Sequence, residues 1–362
     1  MAIYDVDGNV ISTGGEVTEE QVRNVFVQSL ADGTITLPAQ VGNTLGLDAH
    51  MFDETYAQTT YASLLSAFKS YPNSVPFFIN SDQHGRGVEI QRYVNNIDTD
   101  GMECVNINCG DSVVDAYTAE ALESVYQRIK YVKNYIGVPG NHDYKNTLDE
   151  NLFWQIRRTF CTTNLERQMI TTEDLDCYVA YHPMHSVKFI CIDPYDARGI
   201  GGNYMPHPYI NSNVAEWIIT ELSRNDGNDI VIMMHEPRWK RIKTRTAVDY
   251  TTVSEGNGNT PLYDLFVARK SKTSGTYTDD QNVQHTYDFS NCETNLLCEL
   301  GGHWHEETYS DVDGLTVYAQ DWAGANKYGG TFGLIDRDNN LLRIFSFDNV
   351  SGVKTELDIT LQ

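Results

Sequence analysis

Short apolar runs that empty into polar, glycine-bearing loops recur along most of this chain. VPFFIN (75–80), CVNIN (104–108) and YIGVP (135–139) each read as a buried strand, and each is followed by a loop rich in Asp, His, Asn and Gly. Between the second and third, AEALESVYQRIKYVKN sets Leu122, Val125, Tyr126, Ile129 and Val132 at helical intervals, the crossover helix that a parallel pair of strands requires. Upstream, Tyr61, Leu64, Leu65 and Phe68 share a face and predict a helix over Glu54 to Ser70, stopped by YPNS. Downstream, VKFICID (187–193), DIVIMMH (229–235), NLLCELGGH (295–303) and LTVYAQD (315–321) are further strands, and TFGLIDRDNNLLRIFSFD reads as two strands joined by a turn around Asp338 to Asn340. NVAEWIITEL predicts a helix opened by Asn213, with Glu216 completing a capping box. The segment Ser254 to Tyr287 is long and polar and reads as an excursion with irregular ends, including RKSKTSGTYTDDQNVQ, and a helical middle, LYDLFVARK.

The start of the chain has a different texture. VDGNVISTGGEV is turn-rich, and Val22, Val25, Phe26 and Leu30 have a helical rhythm in a segment too short to bury much alone. A small accessory region follows from this, packed on the main domain or on another chain, which makes oligomerisation through it an expectation.

At 362 residues and 41% hydrophobic content the chain holds one large core, so a disordered or fibrous class is excluded. Fifty acids against 26 Lys and Arg give a formal charge of -24, which repels polyanions at long range; general nucleic-acid or anionic-membrane binding is not expected. The opening MAIYDVDGNV carries acids where a secretory leader carries basic residues and an apolar run, so a soluble cytoplasmic protein is expected, with a phage particle or release on lysis as the alternative. Seven cysteines without a CxxC pair read as free thiols of a reducing compartment.

Composition says nothing about chemistry, but six segments do: Asp82-Gln83-His84, Gly110-Asp111, Gly140-Asn141-His142-Asp143, His235, His303 and His305. All lie just after strand-like runs, where loops converge at the carboxyl ends of a parallel sheet. A single histidine at such a place is usually a core or hydrogen-bonding residue. Carboxylates, imidazoles and an amide in six such segments suit two borderline-soft divalent ions, about 3.5 Å apart with a shared oxygen. Side chains one residue apart, as in Asp82/His84 and His303/His305, face the same way on extended backbone or converge in a tight turn.

The blocks SDQHG, CGDSVVD, PGNHDY, MMHEP and GGHWHE, in that order, resemble the DxH, GD, GNHD, H and GHxH pattern of the calcineurin-like metallophosphoesterase superfamily, over roughly residues 73 to 350. The resemblance implies an α/β fold, a sandwich of two mixed β-sheets flanked by helices. It divides the chain into residues 1–72 as the small N-terminal accessory region and lead-in helix, 73–350 as the metallophosphoesterase domain and 351–362 as a C-terminal tail. It further implies one metal held by Asp82, His84 and His305, another by Asn141, His235 and His303, and Asp111 bridging them, the ions being Mn, Fe or Zn. His142 then faces the phosphate and donates a proton or hydrogen bond, and Asp143 braces its loop. The second acid of the family's GDxxD is displaced here to Asp115, with Val114 in its place, which weakens a role for Asp115 in orienting His142.

The expected activity is hydrolysis of a small phosphate ester by metal-activated hydroxide, with no phosphorylated enzyme residue. A phosphodiester is slightly favoured over a monoester; a phage or prophage structural protein carrying a phosphoesterase domain is the third reading. Candidate substrate contacts are Arg86, Arg238 in the basic run HEPRWKRIKTR, and Tyr144; the run reads first as a solvated loop that balances nearby acids, and otherwise as a holder of an additional phosphate or carboxylate of the substrate. Trp304 lines the pocket or packs under its loop, and Tyr204 and His207 are lesser candidates.

Overall fold

The computed structural model describes residues 3–4, 10–12, 54–82, 84, 103–112, 132, 134–144, 161, 163, 165–169, 177–195, 208–244, 247–253, 260–312, 314–320, 330–347 and 354–362. The chain divides into two compact units, Met1–Asp48 and Ala49–Gln362. Of the first, the described part is an antiparallel pair, β1 (Ile3–Tyr4) and β2 (Val10–Ser12). Val22, Val25, Phe26 and Leu30 lie outside the described residues.

The second unit opens with α1 (Glu54–Ser70), which carries Lys69 in its last turn, where a cation suits the helix dipole, and stops ahead of Pro72. Then come β3 (Val75–Asn80), β4 (Val105–Asn108), β5 (Tyr135–Gly137), the short α2 (Asn141–Tyr144), β6 (Arg167–Met169), β7 (Tyr178–Tyr181) and β8 (Val187–Cys191). Next are α3 (Ser212–Ser223), β9 (Asp229–Met233), β10 (Arg241–Thr244), β11 (Thr251–Thr252), α4 (Thr260–Lys270), β12 (Ser274–Thr278) and β13 (Gln284–Asp288). The chain ends with β14 (Leu296–Gly301), β15 (Thr308–Ser310), β16 (Val317–Ala319), β17 (Gly330–Asp336), β18 (Leu341–Phe347) and β19 (Lys354–Thr360).

Among the described residues the strands form two mixed sheets, one of six in the order β19-β18-β17-β3-β4-β5 and one of nine in the order β11-β10-β15-β16-β14-β9-β8-β7-β6. In the first, β3, β4 and β5 run parallel and β17 closes on β3 antiparallel; in the second, β8, β9, β14 and β16 run parallel. Most of these parallel strands are apolar along their length, as suits strands buried on both faces; β4, VNIN, is buried but half polar. Phe77, Ile79, Val105 and Ile107 of one sheet share a buried cluster with Phe189, Cys191, Val231 and Leu300 of the other. The alternate residues Ile190, Ile192, Ile230 and Ile232 turn outward onto Val214, Ile218 and Leu222 of α3 and Leu262 and Phe266 of α4. Truncating one of these central side chains to alanine costs about 3 kcal/mol. The seven cysteines are buried free thiols. No helix among the described residues is long and apolar enough to cross a membrane.

Four local expectations change. The N-cap of α3 is not Asn213 but Asn211, which has extended backbone and whose Oδ1 accepts from Val214 N at 3.0 Å. The polar stretch after α4 is an ordered hairpin, β12 and β13, held by five register pairs. Part of the basic run is not loop but β10, paired with β15. Residues 354–360, within the expected tail, form the edge strand β19 along the full length of β18. Most of the expected crossover helix between β4 and β5 lies outside the described residues.

Candidate metal centre

Five strand ends meet between the two sheets. Asp82 and His84 follow β3, Asp111 follows β4, Asn141 and His142 begin α2 just after β5, His235 follows β9, and His303 and His305 follow β14. Backbone hydrogen bonds tie these loops together: Asp82 N to Gly110 O and His84 N to Asp111 O, each 2.9 Å, and Gly302 N to His235 O, also 2.9 Å. Asp82, His84, Asp111, His303 and His305 all sit in the left-handed region, with φ of 55, 46, 53, 74 and 54°. Of the two ways for side chains one residue apart to converge, the chain uses the tight turn. Non-glycine residues adopt that conformation at a cost of about 1 kcal/mol or more each, so the surrounding packing must hold them there. Close approach also dictates two glycines: a Cβ on Gly140 would overlap the Asp111 carboxylate, and one on Gly302 would overlap Ser81 Oγ and Asp82 Oδ2.

Each carboxylate has one oxygen engaged and one not. Asp82 Oδ2 accepts from Ser81 Oγ at 2.6 Å and His303 N at 2.9 Å, while buried Oδ1 has no hydrogen-bond partner and lies 3.2 Å from His305 Nε2. Asp111 Oδ1 accepts from His142 N at 2.8 Å; buried Oδ2 again has no hydrogen-bond partner and lies 3.3 Å from His235 Nε2 and 3.9 Å from His84 Nε2. The ring nitrogens of His84 and His305 are 3.3 Å apart. Asp82, His84, Asp111 and His305 thus offer one ligand atom each within 4.8 Å of one another, a cluster able to hold a metal ion.

The remaining expected ligands form a second group around the same Asp111 oxygen. Asn141 Oδ1 is 3.0 Å from His235 Nε2 and 3.1 Å from His303 Nδ1. His235 Nδ1 is 2.5 Å from the Cys109 carbonyl, which can only accept, so this nitrogen carries a proton and Nε2 is left to face the centre. Ligand atoms about 3 Å apart match the edge of a coordination shell with metal–ligand distances of about 2.1 Å. The donor set fits a divalent metal, and Asp111 Oδ2 faces both groups, through His84 Nε2 and His235 Nε2.

Charge follows the same geometry. Burial would raise both carboxyls, yet the imidazoles of His305 and His235 hold Asp82 well below the usual range, and that of His235 lowers Asp111. Burial opposes the charge on His235, but Asp111 beside it pushes the imidazole up to about 10. Burial lowers His84 and His303, while the Asp82 carboxylate raises His305.

The blocks DQH, GD, GNHD, H and GHWH are in this way brought to one spot. The chain resembles the calcineurin-like metallophosphoesterases. No protein-family model matches the sequence, and no curated protein does. Among solved structures it is similar to a conserved uncharacterized protein from Streptococcus pneumoniae described as a predicted phosphoesterase, with 11% identity, 79% of this chain and 98% of that chain covered, and a TM-score of 0.30.

Around the metallophosphoesterase-like centre the other candidates divide. His142 is half-buried, its ring edge-on to His84 with centroids 4.6 Å apart. Asp143 Oδ2 accepts from Gly140 N at 2.8 Å, bracing the loop. Tyr144, expected beside a leaving group, is instead buried, and its hydroxyl donates to Asp193 Oδ2 at 2.8 Å; it anchors α2 to the end of β8. Trp304 packs edge-on to Trp239 at 5.3 Å. Lys240 pairs with Asp264 at 2.5 Å, and Arg241 and Lys243 lie over the Tyr250 ring, whereas Arg238 is buried. Arg86, Asp115, Tyr204 and His207 lie outside the described residues. Sequence reasoning missed Ser81, Cys109 O and Asp193 as supports; only Ser81, next to a ligand, left a signal there.

Proposed function

We propose that this chain is a metal-dependent phosphoesterase acting on a small phosphorylated substrate. One observation carries the reading: Asp82 Oδ1 and Asp111 Oδ2 are buried without hydrogen-bond partners among imidazole nitrogens, where five strand ends meet. Buried oxygens in that state are costly unless a cation neutralises them.

Asp82, His84 and His305 would hold one divalent ion and Asn141, His235 and His303 the other, and Asp111, whose Oδ1 accepts from His142 N, would serve both. When bound, such a pair supplies a water acidic enough to be a nucleophile near neutral pH and positive charge opposite the phosphate oxygens. The chain's own groups do the rest. Asn141 ligates through a neutral amide, which leaves the site more positive than a third carboxylate would. His142, on the rigid start of α2, donates to the oxygen on which charge grows as the P–O bond breaks. The Cys109 carbonyl fixes the His235 ring by taking its Nδ1 proton.

The test is hydrolysis of a matched pair, 4-nitrophenyl phosphate and bis(4-nitrophenyl) phosphate, by the full chain with Mn, Fe or Zn and after chelation. Turnover that needs metal and returns on its addition supports the reading; the ratio between the two esters ranks monoester against diester. Turnover indifferent to chelation, or none with any metal, would end it.

A further inference from the structure

Three residues past His235 the chain buries an arginine. Arg238 is 2% exposed, and its backbone N–H is fixed by Glu299 Oε1 at 2.9 Å. The guanidinium itself is poorly matched. Nη1 lies 3.7 Å from Glu236 Oε1, beyond hydrogen-bond length, and Nε and Nη2 are buried with no acceptor. Burial pushes the carboxyl of Glu299 up to about 8, against the opposing pull of the Arg238 backbone N–H and charge. An arginine cannot escape the mismatch by losing its proton.

The edge left open is the one that grips oxyanions. Nε and Nη2 lie side by side and form a two-pronged donor; in this same molecule Arg224 uses that edge on Glu221, with Nε to Oε2 at 3.0 Å and Nη2 to Oε1 at 2.6 Å. Two more donors on these segments are buried without acceptors, Trp239 Nε1 and Trp304 Nε1, in rings 5.3 Å apart. All four nitrogens belong to the segments that leave the metal-centre residues His235 and His303. Burial pushes the Tyr195 hydroxyl up, with the charges of Glu236 and Asp111 adding to it and that of Arg238 opposing them. The Tyr195 ring is 5.6 Å from that of Tyr144, two residues after His142.

We propose that Arg238 is the core of a second anion subsite beside the metal centre, and that the substrate is a phosphate ester bearing a further carboxylate or phosphate group which this guanidinium binds. The assignment rests on the metal-centre reading for where the scissile phosphate sits.

Binding calorimetry on the full, manganese-loaded chain tests it with three inert probes: methylphosphonate, 3-phosphonopropionate and ethylene bisphosphonate. Wild type should bind one of the two-ended probes at least tenfold more tightly than methylphosphonate, and which one separates carboxylate from phosphate. In Arg238→Gln that preference should fall to twofold or less, with Arg238→Lys, which keeps the charge but not the fork, in between. Absence of the preference in wild type overturns the proposal even if neither variant folds, and so does its persistence in a folded variant. If methylphosphonate does not bind but a two-ended probe binds through Arg238, the subsite stands and the metal-centre reading falls. If none binds, both fall.

Discussion

At Asp279, in the turn of the β12–β13 hairpin, both carboxylate oxygens are engaged: Oδ1 accepts from Gln281 N and Val283 N, and Oδ2 from Ser212 Oγ and His285 Nε2. At Asp82 and Asp111 one oxygen is engaged in the same manner while the other is buried beside imidazoles with no hydrogen bond. Both places join aspartate to histidine at about the same distance, 2.8 Å for His285 and 3.2 to 3.3 Å for His305 and His235. The residue types are thus no guide to the role. A carboxylate whose lone pairs are all taken is a fastener that pins a hairpin to the start of α3; one with a buried oxygen left without a hydrogen bond among several imidazoles is suited to a cation.

That contrast breaks most readily at Asp111. Asp111→Asn should lower kcat by about a thousandfold or more and reduce bound metal, because it removes the charge that faces both ligand groups; metal analysis alongside turnover reads both, and wild-type values for either would put Asp111 with the fasteners. His142→Ala should cost about a hundredfold in kcat with metal content unchanged, as suits a group that donates to substrate and not to metal. Loss of an ion instead would move His142 into the ligand set. Asp279→Ala should have the opposite profile: about 3 kcal/mol less stable in urea unfolding, since four donors lose their acceptor, with metal content unchanged. The smallest effect sharpens the same point through pH. Burial alone would raise the Asp279 carboxyl, but its bonds from His285 and Ser212 hold it below the ordinary 3.8. Its contribution is therefore complete above pH 3.8 and is lost as pH falls below that value toward the folded one. Unfolding measured at pH 5 and pH 3 should show a smaller acid loss for Asp279→Asn than for wild type.

The framework of the site was legible because it is local. VPFFIN, DIVIM and LLCELG are apolar runs that bury both faces, and they appear as β3, β9 and β14 with boundaries within a residue or two of the pattern. The helix over Glu54 to Ser70 likewise depends on one face and a following proline. The hairpin of β12 and β13 was illegible for the converse reason: SGTYT and QHTYD are mostly exposed, so little apolar alternation marks them, and what orders them is Asp279 reaching Ser212, 67 residues away. Tyr144 misled because a tyrosine beside GNHD reads as a pocket wall until Asp193 is found at its hydroxyl.

By itself, then, the order of residues determined the strands, their succession and the set of Asp, His and Asn side chains delivered to the strand ends, since each depends on neighbours a few positions away. Only the tertiary structure decided which oxygen of each aspartate is left bare, that the ligand pairs converge through left-handed turns, and that Arg238 is enclosed instead of solvated. Those outcomes hang on partners far along the chain, such as His303 N on Asp82 across 221 residues, and no local pattern encodes whether a distant donor will arrive.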